Sequence, residues 1–142
     1  MKNSQVLGSA LVACLSVSGL PTASSLHRAA VAGDAAHGRY LVEHVAMCIQ
    51  CHTPRDGAGE LIATRLYCGA PIPVAPPPWN EPWASFAPRI RGLRGYDDAQ
   101  AMQLLTQGAI GRTGLPLKPP MPEFRMTQQD AADTIAFLRT QE

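Results

Sequence analysis

The densest concentration of reactive side chains in this sequence is Cys48-Ile49-Gln50-Cys51-His52. Two thiols three positions apart, followed at once by an imidazole, suit several chemistries. The thiols could cycle through a disulfide, or stay bonded to each other as a structural bridge. With His52 and Cys68 they could offer zinc a Cys3His set. They could also form thioethers with the two vinyl groups of a haem while His52 presents its imidazole to the iron, which is the reading of a CxxCH pattern. A thioredoxin-like dithiol expects a βαβ setting, and no strand pattern of any length appears. Structural zinc usually draws on two separated ligand pairs, whereas Cys68 stands alone. A disulfide leaves His52 without a purpose. Covalent attachment of one haem uses all three residues.

A haem held this way needs a sixth ligand or an open position, and a thioether would favour an electron carrier of raised potential. Apart from Met1, the methionines are Met47, Met102, Met121 and Met126. Met47 adjoins the attachment motif on the wrong side to return across the iron. Met102 belongs to a helical apolar stripe, the usual place of a core residue. Met121, between Pro120 and Pro122, sits where stiff backbone can present one side chain across a pocket. Met126, just before a helix cap, is the runner-up, because a hydrophobic staple explains it more simply.

The elements that must position these residues are helices. Asp34 reads as the N-cap of a first helix carrying Ala35, Ala36, Tyr40, Leu41 and Val45, which runs directly into Cys48. Tyr40 and Leu41 are expected to pack against Ile135 and Leu138, and His37 and His44 to be surface or structural residues. A second helix starts at Asp97, with Gln100 reaching back, and ends before Gly108. A third starts at Thr127 and carries Ala131, Ile135 and Leu138 on one face. Between the first two, Pro71 to Pro88 contains seven prolines and both tryptophans. Proline lacks the donor for helix interiors, so the expectation is an extended wrap with Trp79 or Trp83 packed onto the body.

With 142 residues and 16% charged side chains, the chain suits one compact domain. At its start, Lys2, the uncharged run Val6 to Leu20 and the small residues after Pro21 read as an export signal over residues 1 to 25, leaving one domain over 26 to 142. The run is shorter than the roughly 20 apolar residues of a spanning helix. An uncleaved anchor and lipidation at Cys14, in Leu11-Val12-Ala13-Cys14, are the alternatives. Cleavage would remove Lys2 from the 12 basic residues and match them to the 11 acidic ones. That balance argues against a nucleic-acid or membrane-surface role. It would also leave Cys68 without a partner.

Together, the helix running into CxxCH, the middle helix, the Pro120-Met121-Pro122 loop and the C-terminal helix resemble the class I monohaem c-type cytochromes. Pro88-Arg89-Ile90-Arg91-Gly92-Leu93 is similar to that family's Pro-Asn-Leu-x-Gly-Leu element. The resemblance covers Gly33 to Thr140 and implies an all-α cytochrome c fold of three to four helices with long irregular loops around one covalent haem c. It implies thioethers at Cys48 and Cys51, axial ligands His52 and Met121, and a Pro88 carbonyl that orients His52. Arg89 stands where the family has asparagine, and the Gly69 to Ala87 insertion is long. The function implied is a periplasmic carrier of single electrons, not an enzyme. Its partners would be a dehydrogenase and an oxidase or another cytochrome. Two alternatives stay open: a cytochrome subunit of a membrane-associated dehydrogenase complex, and a haem enzyme or sensor with a dissociable methionine. Arg89, Arg91 and Arg94 suit haem propionates, an acidic partner or a solvated surface equally well.

Overall fold

The computed structural model describes residues 31 to 79, 82 to 108, 111 and 113 to 142. The export signal and Cys14 lie outside the described residues. Regular structure is predominantly helical, with long irregular connections. Among the described residues, the four α-helices are α1 (Ala35–Tyr40), α2 (Cys48–His52), α3 (Asp98–Gln107) and α4 (Gln128–Thr140). A π-helical turn, Leu41–Val45, continues α1, and short 3-10 turns occur at Ala63–Arg65 and Arg91–Leu93. The strands β1 (Ala70–Pro71) and β2 (Phe86–Ala87) form one antiparallel two-residue ladder.

The caps lie where the sequence puts them. The Asp34 carboxylate accepts the N–H groups of Ala36 and His37. Asp97 and Gln100 form a reciprocal capping box on α3, which ends at left-handed Gly108. Thr127 accepts from the N–H of Asp130 to start α4. Each cap satisfies a donor that the first helical turn leaves without a partner.

Helices α1 and α4 cross at Gly38, where a Cβ would lie 1.9 Å from the carbonyl oxygen of Asp133. Backbone therefore meets backbone there, which only glycine permits. Val42, Ile135, Phe137 and Leu138 close the core beside this crossing, with Leu93, Ala101 and Leu105 from the middle of the chain. Burying each of the larger aliphatic side chains contributes about 2 kcal/mol.

The face of the first helix differs from the expectation at Tyr40 and Val45, each 56% exposed, whereas Gly38, Leu41 and Val42 are buried. Tyr40 is exposed because α1 meets α4 through Gly38, two residues earlier and so nearly opposite on the helix; for Val45 the reason is the π turn. Its wider coil changes the angular step between residues, so a 3.6-residue periodicity misplaces the inner face. Of the two tryptophans, Trp79 is 85% exposed and Trp83 is partly buried, so Trp83 is the one packed onto the body.

Candidate functional site

Met47 has left-handed backbone (φ 55°), and this break separates the π turn from α2. Helical spacing then places Cys48, Cys51 and His52 on one side of a short helix. Cys48, Cys51 and Cys68 are free and partly buried. His52 is 5% exposed, and its Nδ1 lies 2.6 Å from the carbonyl oxygen of Pro88. A carbonyl only accepts, so Nδ1 carries the hydrogen and Nε2 keeps its lone pair. Burial lowers the His52 pKa, with the Pro88 carbonyl acting in the opposite direction. The side chain is thus a neutral imidazole with one nitrogen anchored and the other able to bind a metal.

The competing chemistries fit less well. Burial pushes the Cys48 thiol up to about 11, the reverse of the depressed pKa that an attacking redox cysteine needs. Cys48, Cys51, His52 and Cys68 do not converge into a zinc set. Among the described residues, the group whose potential metal-binding atoms lie within 4.8 Å of one another is His37, Asp130 and Asp133. There Asp133 is already engaged, accepting from Asp34 N–H at 2.7 Å, Gln129 Nε2 at 2.8 Å and His37 Nδ1 at 2.7 Å. That cluster ties α1 to α4.

Among the described residues, two buried side-chain donors have no partner: Trp83 Nε1 and Arg91 Nε. A buried donor left unpaired costs about 1–3 kcal/mol. Carboxylates, such as haem carries, would satisfy such donors. Together with two free thiols and an anchored imidazole, they make a donor set that fits a covalently attached haem.

Met121 is partly buried and follows Pro119-Pro120. Its N–H donates to the Lys118 carbonyl at 3.3 Å. The same loop is tied to the approach to β2, since Ala84 N–H donates to the Pro119 carbonyl at 2.7 Å. Met126 is committed elsewhere: its N–H donates to the Leu105 carbonyl at 3.0 Å, and its sulfur accepts from the Thr134 hydroxyl at 3.8 Å. Met102 packs against the core and Met47 is exposed. Of the arginines after Pro88, Arg89 and Arg94 are exposed, while Arg91 is partly buried and donates to the Glu142 carbonyl.

Sequence reasoning passes over Tyr67, whose side chain is fully buried. It sits at the third position of a turn closed by Cys68 N–H donating to the Arg65 carbonyl at 3.2 Å, with φ 60°. After Leu66 at φ −55°, ψ 135°, this is the glycine position of a type II turn. Left-handed backbone costs a non-glycine residue roughly 1–2 kcal/mol. The compensation is tertiary: Phe137 meets the Tyr67 ring edge-on at 5.8 Å, and its hydroxyl donates to Glu43 Oε1 at 2.8 Å. Burial, then Glu43, pushes the phenol's pKa up, so it stays protonated. No local sequence signal marks a tyrosine at this position.

No family model matches the chain. One stretch is similar to a protein of Cereibacter sphaeroides named "Diheme cytochrome c-type", at 47% identity over 47 residues. That stretch is 30% of this chain and 16% of the relative, so the chain spans about a sixth of the length of the curated protein it matches. The similarity is to part of a c-type cytochrome.

Proposed function

We propose that this chain is a periplasmic carrier of single electrons, with one haem c bonded to Cys48 and Cys51 and its iron held between His52 and Met121. The observation that carries this reading is the 2.6 Å approach of His52 Nδ1 to the Pro88 carbonyl, directly after two free thiols on one helical turn. The haem would supply a one-electron Fe(II)/Fe(III) couple. The chain's own part is to hold the imidazole, raise its basicity through Pro88 and exclude water from it. Trp83 and Arg91 offer donors for the propionates. Met121 is favoured over Met126 because the Met126 sulfur already has a partner in the core. The chain is read as a carrier and not an enzyme because the stretch it shares is with a protein named as a c-type cytochrome.

Residues 1 to 25 are read as a cleaved export signal, with lipidation at Cys14 or an uncleaved anchor as alternatives. Among the described residues, no helix is long and apolar enough to cross a membrane. The partners proposed are a dehydrogenase that donates electrons and an oxidase or another cytochrome that accepts them. A second reading, a cytochrome subunit of a membrane-associated dehydrogenase complex, draws support from a relative named for two haems and far longer than the matched stretch.

Spectroscopy and mass spectrometry of the exported protein test the proposal. The expected results are a reduced low-spin c-type spectrum and a mass increased by one haem that survives denaturation. A colourless protein that yields zinc on metal analysis would overturn it.

A further inference from the structure

Tyr67 touches both sides of the His52 anchor through its backbone. Its N–H donates to Thr53 Oγ1 at 3.0 Å, immediately after His52. Its carbonyl accepts from both Ile90 N–H and Arg91 N–H at 3.0 Å, just beyond Pro88. Two residues further on, Gly69 N–H donates to the His52 carbonyl at 2.8 Å. The segment 67 to 69 therefore spans the gap across which His52 reaches Pro88.

The side chain fixes that span. Left-handed backbone at Tyr67 is not an intrinsic preference of tyrosine, so its persistence depends on what holds the ring. The phenol is held at its tip by Glu43, whose other oxygen accepts from Arg39 Nε at 3.1 Å, and at its edge by Phe137. Glu43 lies in the π turn that leads into the Cys48 motif, and π turns often accompany functional sites.

We propose that Tyr67 is a positioning residue for the iron ligand. Its hydrogen bond to Glu43 locks the turn that sets how closely Pro88 approaches His52, and so tunes the reduction potential. This rests on the haem reading above. A stronger Nδ1–H···O bond makes the imidazole more electron-rich and favours Fe(III), so loosening it raises the potential.

The test compares Tyr67→Phe, Glu43→Ala, their double variant and Glu43→Gln in the haem-loaded protein. Tyr67→Phe keeps the ring against Phe137 and removes only the hydroxyl. The expected results are an upward shift in potential for Tyr67→Phe and for Glu43→Ala, and no further shift in the double variant. Glu43→Gln, which keeps an acceptor oxygen, should stay near the parent. In the reduced protein, the His52 Nδ1 proton should exchange faster with solvent in Tyr67→Phe, as seen by NMR. A Tyr67→Phe protein that melts at lower temperature with potential and exchange unchanged would make the residue merely structural and overturn the inference. A parent protein without haem overturns the inference and the proposed function together, so the two failures are distinguishable.

Discussion

His37 Nδ1 lies 2.7 Å from Asp133 Oδ2, joining an exposed side chain of α1 to a carboxylate buried in α4. The hydrogen bond to Asp133 raises the His37 pKa above its ordinary 6.5 against the opposing effect of desolvation, with the charges of Asp133, Asp130 and Asp34 adding to it. Burial pushes Asp133 up, but hydrogen bonds from His37, Asp34 N–H and Gln129 outweigh it and hold the carboxyl below 3.8.

The pair should therefore make stability pH-dependent in two directions. His37 holds its proton more tightly when folded, so its contribution is complete below pH 6.5 and lost as pH rises through its higher folded value. Asp133 contributes fully above pH 3.8, and that is lost as pH falls through its lower folded value. The thermal midpoint should be greatest between these limits. His37→Gln should flatten its alkaline decline, as measured by melting across pH.

At Gly38 two effects oppose each other. Alanine is better than glycine in a helix interior by about 1 kcal/mol. Here, however, the new methyl would meet the Asp133 carbonyl at 1.9 Å, and overpacking of this kind costs about 1–3 kcal/mol. Gly38→Ala should consequently lower the denaturant midpoint, while Gly57→Ala, with nothing within 4 Å of the added methyl, should not.

Arg139 closes the chain after Pro88 onto α4. It donates to the carbonyls of Gly92 at 2.9 Å, Leu93 at 3.2 Å and Tyr96 at 2.7 Å, and to Asp98 Oδ1 at 2.8 Å. Asp98 is exposed, so the ion pair itself contributes little. Arg139→Ala should cost about 2 kcal/mol through the carbonyls it abandons. Asp98→Ala should cost well under 1 kcal/mol in the same unfolding measurement.

Met121 and Met126 should separate by function and stability. Met121→Ala is expected to abolish the red-edge absorption band of a methionine-ligated ferric haem with little effect on packing. Met126→Ala should keep that band and lower stability by about 2 kcal/mol, as expected for truncating a methionine that packs against the core. The opposite pattern in spectrum and melting would move the ligand to Met126.

Local patterns made the helix starts legible. Asp34, the Asp97 and Gln100 box and Thr127 each act on donors within three residues, so sequence spacing alone determined their roles. The Cys48 to His52 motif is equally local, and it limited the site chemistry before any fold was known. The inner face of the first helix was not legible, because a glycine, Gly38, faces α4 and the π turn changes the periodicity after it. Tyr67 was not legible either: its turn favours glycine, and what holds a tyrosine there comes from Glu43 and Phe137, far along the chain. Likewise, Pro88 lies 36 residues from His52. Resemblance to a family could suggest that the two meet, but only the folded path through Tyr67 and Gly69 brings imidazole and carbonyl within hydrogen-bond distance. Sequence by itself determined the reactive groups and where the helices begin, since those depend on neighbours along the chain. Tertiary structure alone decided which faces are buried and how the imidazole is anchored, because both depend on contacts between segments remote in sequence.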